Sequence, residues 1–425
     1  MSKPTLVISC PIDTYSGYGA RARDVVRALI QLDKYDISIL GQRWGNTRFG
    51  YLEDHNEHDM QSRVISQLNS KPDIWIQVSV PNEFQKVGTF NIGITAGIET
   101  TLCDPSWIEG INRMDLLLVS SNHSKNVFTQ TKYDIQHKQT NQKSGELVAT
   151  VPIEVLFEGG DVTKYFPKNS SSIDLSTVKE SFLFLFVGHW LQGAIGEDRK
   201  NVGWMIKAFC ETFKNKMNAP ALLLKAQSAG SSIMDRERML DKIEDIRRSV
   251  RGKCPNVYLM HGEVSDSEMN DLYNHPKVKS MISFTKGEGF GRPLLEFSFV
   301  KKPIIASGWS GHMDFLDKDL TYIIGGELKK VHKSAVQKNV ILEDSSWFNP
   351  NEQEAAKAIK MIHKHYKATL INAKKQGTNN SKHFSLEAMK NLLGEILDKS
   401  LPEFPSQIAL TLPKLNLPKL EKINE

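Results

Sequence analysis

The sequence predicts an α/β chain built as two tandem doubly wound parallel sheets. Three observations carry this. Apolar runs of strand length alternate with amphipathic runs of helical period from Leu6 to about Gln130, the pattern of a parallel sheet covered on both faces. The alternation restarts at Phe182 and runs to Ile324. Between the two lies a polar, Ser-rich stretch punctuated by Gly159, Gly160 and Pro167, which marks a boundary. The expected division is therefore 1–167, 168–400 with trailing helices, and a proline-broken tail at 401–425.

In the first half, strands are expected at Leu6–Cys10, Asp36–Leu40, Asp73–Val78, Asn91–Ala96, Asp115–Ser120 and Val151–Leu156. Helices are expected at Ala20–Leu32, where Val25, Val26, Leu29 and Ile30 share a face, and near Met60–Leu68, Pro105–Ile111 and Ser124–Gln130. Lys132–Gly145 has little to bury and reads as a surface loop. In the second half, strands are expected at Phe182–Val187, Ala221–Ala226, Val257–His261, Val278–Phe284, Pro303–Ser307 and Leu320–Ile324. Helices are expected at Val202–Phe213, Arg236–Val250, Ser267–Tyr273, from Pro293, and over Asn351–Lys374 and Ser385–Ser400.

Composition narrows the function class. Apolar residues at 40 % and charged residues at 24 % exclude a fibre and a disordered chain. No run reaches the roughly 20 apolar residues of a membrane span, and Leu6–Cys10 is too short for a signal sequence, so a cytoplasmic protein is expected. Cys10, Cys103, Cys210 and Cys254 form no CxxC pair, and Cys10 and Cys210 sit in apolar segments. The net charge of +5 is uneven: residues 1–167 carry 16 basic and 19 acidic side chains, against 38 and 30 in the remainder. Lysines cluster at 329–338 and 357–375, which fits either a solvated face or contact with a polyanion.

Tandem doubly wound sheets bind ligands in the cleft at the carboxyl ends of their strands. The sharpest chemistry-bearing segment is TKGEGFGRPLLEFSFVKKPIIAS, Thr285–Ser307, which leaves one strand and opens a helix. Gly287, Gly289 and Gly291 let backbone approach a ligand, Pro293 suits a first helical turn, and free amides there would face a phosphate. Glu288 and Glu296 can each accept two hydrogen bonds from neighbouring hydroxyls, as a ribose diol or sugar ring presents. The plain structural alternative is a glycine turn with a capping Glu.

This segment resembles the E-x7-E motif of the large retaining glycosyltransferase group often called family 4, with the GT-B fold. The resemblance implies that Glu288 contacts the donor sugar, that backbone amides at Gly289, Phe290 and Gly291 help hold the diphosphate, and that Glu296 binds the ribose hydroxyls. FVGHW at Phe186–Trp190 resembles the opening strand of the nucleotide domain, and RKNVGWMIKAF at Arg199–Phe209 the loop and helix after it, where a Lys binds the donor phosphates. That implies Lys200, with Arg199 beside it, as catalytic residues that stabilise the leaving diphosphate. His189 stands where the family often has Arg, and WLQGAIGED precedes the Lys, so Arg199 is the candidate to take the second clamp role. SGYG, with Gly17 and Gly19, resembles the loop that faces the diphosphate from the first half. VLFEGGDVTKYFP at Val155–Pro167 resembles the family's hinge, with Glu158 and Asp161 in a departed pattern.

Glu99, at a strand end, is the acceptor-side candidate, either orienting or deprotonating the acceptor hydroxyl or capping a turn. His123 and His312 are weighted to local hydrogen bonds and packing. Asp317 and Asp319 spell a DxD, and His55 and His58 sit among acids, but both segments read as charged surface, and no metal ligands are assigned. The resemblance thus implies a metal-independent, retaining transferase without a resident cofactor, using a nucleotide-sugar as co-substrate. The acceptor stays open: a glycan, lipid-linked sugar or small molecule; a hydroxymethylated base in DNA, as in GT-B enzymes of some bacteriophages; or none, if the chain is a glycan phosphorylase or a non-catalytic nucleotide-sugar binder.

Overall fold

The computed structural model describes residues 3–137, 142–191, 193–228 and 232–404. The first half holds β1 (Thr5–Cys10), β2 (Asp36–Gly41), β3 (Val64–Ile65), β4 (Ile74–Val78), β5 (Phe90–Thr95), β6 (Leu116–Val119), the hairpin β7 (Tyr133–Gln136) and β8 (Lys143–Leu147), and β9 (Ile153–Val155). All but the hairpin join one parallel sheet of order β3-β2-β1-β4-β5-β6-β9. Its register stacks like on like: Ile8 lies opposite Ile39 on one side and Ile76 on the other. β4, β5 and β6 are buried on both faces along almost their whole length, which is why they read as unbroken apolar runs.

The second half holds β10 (Leu183–His189), β11 (Ala221–Gln227), β12 (Val257–Met260), β13 (Val278–Ser283), β14 (Ile304–Ser307) and β15 (Tyr322–Ile324), a parallel sheet of order β12-β11-β10-β13-β14-β15. A separate antiparallel pair, β16 (Gly326–Lys330) with β17 (Ser346–Pro350), follows it. The fully apolar Leu183–Phe186 is the centre of this sheet, between β11 and β13. No helix among the described residues is long and apolar enough to cross a membrane.

The chain passes between the halves twice, and the two passes touch. Gly160 pairs with Ser385, donating from its amide to the Phe384 carbonyl (2.8 Å) and accepting from the Leu386 amide (3.0 Å). A Cβ on Gly159 would sit 2.7 Å from the Leu386 backbone, and one on Gly160 2.3 Å from the Phe299 ring, so the crossing requires glycine at both places. The segment with Glu158–Asp161 is thus packed at the junction of the halves.

Several elements differ from the sequence reading. The helix expected at Met60–Leu68 ends at Ser62, because Val64 and Ile65 pair with Ile39 and Leu40 as edge strand β3. Lys132–Gly145, read as a loop, contains the β7–β8 hairpin. Lys143 bonds Asp134 across it (2.7 Å), and such charge pairing leaves no apolar alternation to read. Its residues 138–141 lie outside the described residues. Glu352–His383 runs nine residues beyond the expected end at Lys374, with a break in helical backbone at His365 (φ −120°, ψ 31°). Leu386–Ser400, placed by the sequence with the second half, instead buries Met389, Leu393 and Leu397 in the core of the first, against helix Gly17–Leu32. Of the tail expected at 401–425, residues 405–425 lie outside the described residues.

Candidate functional site

The carboxyl ends of the two sheets face each other, and that fixes the site. β10 and β13 are neighbours, so the loops leaving them lie side by side: the Lys286 amide donates to the Arg199 carbonyl (2.8 Å). Asn201, in left-handed backbone (φ 57°), ends the first loop and starts helix Val202–Phe213, leaving Arg199 and Lys200 in front of it. Gly291 (φ 99°) does the same before helix Arg292–Phe299. The Phe290 ring turns into the core against Phe315, so only its backbone is available to a ligand.

Lys200, Arg199, Glu288 and Glu99 form one cluster. Lys200 Nζ donates to both Glu288 oxygens (2.6 and 2.8 Å), and Arg199 Nη1 lies 3.3 Å from Glu288 Oε2, 3.5 Å from Glu99 Oε1 and 2.9 Å from the Gly287 carbonyl. Burial would push the Glu288 carboxyl up, but the Lys200 ammonium and Arg199 guanidinium outweigh it and hold it at about 2. Glu288 is therefore an anion at neutral pH, an acceptor of hydrogen bonds and not a proton donor. Its amide donates to Ser310 Oγ (2.9 Å), and Ser310 itself sits at φ 79°, ψ −162°. That backbone is nearly confined to glycine and costs about 1–3 kcal/mol, which the contacts around the loop must offset.

The glycine loop presses directly on the first half. Ser120 Oγ lies within hydrogen-bond reach of the carbonyls of both Ala96 (2.5 Å) and Gly289 (3.0 Å), which share its one proton. A Cβ on Gly289 would lie 2.1 Å from the Ala96 carbonyl oxygen, and one on Gly287 1.9 Å from that of Glu99. Gly287→Ala is accordingly expected to hold the halves apart: kcat/KM falls by at least about tenfold while the melting temperature barely moves, since opening relieves the clash. Steady-state kinetics beside calorimetry checks this.

Glu296 occupies a second place. It lies in the wall of a cavity of about 510 Å³ between the halves, with His189, Lys225, Gln227 and Asp266 from the second half and Tyr15, Arg48 and His55 from the first. Arg292 Nε bonds Glu296 (3.0 Å), and its Nη1 bonds Asp24 of the first half (2.7 Å). Burial lifts the Glu296 carboxyl to about 7; Arg292 opposes this, and Asp266 and Asp24 add to it. His189 faces this cavity and the Ser228 carbonyl (3.2 Å), apart from Glu288; Arg199 is the cation that joins Lys200 on that carboxylate.

The remaining candidates fall as follows. Gly17 faces open space at the start of helix Gly17–Leu32, whereas Gly19 is enclosed, 2.3 Å separating its would-be Cβ from the Thr14 carbonyl oxygen. His312 is fully buried with Nε2 on the Ser307 carbonyl (2.6 Å) and Nδ1 without a partner; burial pushes its pKa down. His123 packs edge-on against Trp309. His55 stacks on Tyr51 at 3.9 Å, Asp317 and Asp319 are exposed, and no cluster of three or more metal-ligating side chains occurs among the described residues. Sequence reasoning did not find Arg292, Ser310 or the Tyr15–Arg48–His55 wall. Arg292 four residues before Glu296 was the one available signal.

No protein-family model and no curated protein sequence matches the chain. Among solved structures it is similar to Anabaena HepE in complex with UDP-glucose (TM-score 0.61, 12 % identity, 93 % of this chain and 100 % of that one). It is also similar to a glycosyltransferase from Rickettsia africae (0.60, 14 %, 94 % and 99 %) and to sucrose-phosphate synthase from Thermosynechococcus elongatus (0.60, 10 %, 93 % and 98 %). Over nearly its whole length, then, the chain has the GT-B fold: two doubly wound parallel sheets facing across a cleft.

Proposed function

We propose that this protein transfers a sugar from a nucleotide-sugar to a hydroxyl acceptor, with retention and without a metal ion or resident cofactor. The observation that carries the reading is the pairing of two sites on one motif. Glu288, ionised, lies with two cations at the cleft, and Glu296, eight residues on, lies in the wall of a cavity of about 510 Å³. A diphosphate set between them meets Lys200 and Arg199 on one side and the start of helix Arg292–Phe299 on the other. The ribose diol reaches Glu296, and the sugar hydroxyls reach Glu288. Charge growing on the leaving diphosphate is stabilised by Lys200 and Arg199, which takes the place of a metal. The acceptor enters from the first half past Glu99, and closure of the halves excludes water. The structure of HepE in complex with UDP-glucose, which shares this fold, supports the donor class.

Thermal-shift measurement with UDP-, GDP- and ADP-sugars tests this. One of them at 100 times its Kd stabilises the protein by about 2.7 kcal/mol. If none shifts the melting temperature, the donor assignment fails. Activity with inorganic phosphate and no nucleotide would replace it with a phosphorylase.

A further inference from the structure

Helix Glu352–His383 carries charge that the cleft does not use. From Ala355 to Leu386 the sequence has no Asp or Glu, but seven lysines: 357, 360, 364, 367, 374, 375 and 382. All seven are exposed, and none makes an ion pair among the described residues. Ala355, Ala358, Ile359 and Ile362 fill the core beneath the second sheet, so at 3.6 residues per turn Lys357, Lys360 and Lys364 fall on the opposite side. The helix is broken at His365, so its first segment carries Lys357, Lys360 and Lys364 and its second the other four. Like charges three and four apart repel, and a merely solvated helix face usually alternates them with Glu.

Apolar side chains stand among these lysines. Met361 is 40 % and Ile371 62 % exposed. At Lys360 and Lys364 a groove of about 680 Å³ opens between this helix and the end of helix Val202–Phe213, lined also by Phe213, Lys216 and Met217. Asn215, in left-handed backbone (φ 59°), turns the chain outward there and leaves Met217 98 % exposed. The groove lies where the chain is about to enter β11, at the end of the sheet opposite the one that bears Lys200 and Glu288.

We propose that this face docks on an anionic lipid bilayer, the lysines meeting headgroup phosphates and Met217, Met361 and Ile371 seated at the acyl boundary. Lysines alone would suit any polyanion. Exposed apolar side chains set among them gain nothing from a phosphate backbone but do gain from a bilayer interface, which rewards both parts of the pattern. Docking here leaves the cleft open to solvent.

Flotation with phosphatidylcholine vesicles, with and without phosphatidylglycerol, tests it. The full chain is expected to float only with the anionic vesicles, less so as salt rises. Lys357→Glu/Lys360→Glu/Lys364→Glu lowers the partition coefficient by on the order of 100-fold. Met217→Ser/Met361→Ser lowers it by about tenfold at unchanged salt slope. Both variants keep the wild-type melting temperature and nucleotide affinity, which separates lost docking from lost folding. No flotation with anionic vesicles at low salt overturns the proposal, as does equal flotation with pure phosphatidylcholine. So does a methionine variant that floats like wild type while duplex DNA strips the protein from the vesicles, which makes the face a polyanion site.

Discussion

Replacing Lys200 with Met is expected to lower turnover by about 10²–10³-fold, the usual cost of removing one group aimed at charge that develops in the transition state. Two effects must be told apart, because Lys200 is also half of a buried ion pair. Its side chain is 12 % exposed and that of Glu288 9 %. Removing one partner leaves a buried carboxylate with Arg199 alone, at 3.3 Å, and costs about 3–5 kcal/mol of stability. Stability therefore falls in Lys200→Met and is regained in large part when Glu288→Gln is added, since neither partner is then charged. The loss of turnover has a different signature. It shrinks with a donor whose leaving group departs without help, such as a glycosyl fluoride, because a cation at the leaving group has less charge to stabilise. Single-turnover kinetics with the two donors measures this. An equal deficit with both would make Lys200 a structural residue and move the leaving-group role elsewhere.

What the sequence revealed of the site follows from how local each interaction is. Glu288, Glu296, Gly289 and Gly291 stand out as candidates in the sequence because one loop and one helix start supply them together, in fixed spacing. Arg199 and Lys200 were legible for the same reason, being a short stretch after a strand. The two Rossmann-like halves were legible from apolar runs that the structure buries on both faces. Contacts that cross the cleft left no such mark. Arg199 reaches Glu99, and Arg292 reaches Asp24, 268 residues away. Tyr15, Arg48 and His55 meet the second half's cavity without forming a motif that points to it. The β16–β17 pair was missed because its strand β16 is exposed throughout and shows no buried face to the reader of a pattern. Helix Leu386–Ser400 carries an apolar stripe that states that it packs, not on what, so its packing on helix Gly17–Leu32 is not legible in the sequence.

Glu296 separates binding from chemistry most sharply. Glu296→Ala is expected to raise the Kd for the nucleotide that stabilises the protein by about 10–100-fold, since hydrogen bonds to a charged acceptor contribute about 1.5–3 kcal/mol each. Glu288→Ala should leave that Kd within about threefold and lower turnover instead. The pH dependence follows from burial, which lifts the Glu296 carboxyl to about 7. Below that pH the carboxyl is protonated and accepts hydrogen bonds from a diol less well, so wild-type affinity weakens as pH falls from about 8 to about 6. The folded state without nucleotide moves the other way. A carboxyl with a raised pKa binds its proton more tightly when folded than unfolded. Its contribution is present at low pH and is lost as pH rises from the ordinary carboxylate range through about 7. Nucleotide affinity and free-protein stability thus change in opposite senses where the two windows overlap, just below about 7. Glu296→Gln, which keeps the shape and cannot ionise, should flatten both. Titration calorimetry across pH, paired with melting curves of the free protein, reads the two together. Equal loss of nucleotide affinity in the Glu288 and Glu296 variants, or a pH profile unchanged in Glu296→Gln, would dissolve the division of labour between the two carboxylates.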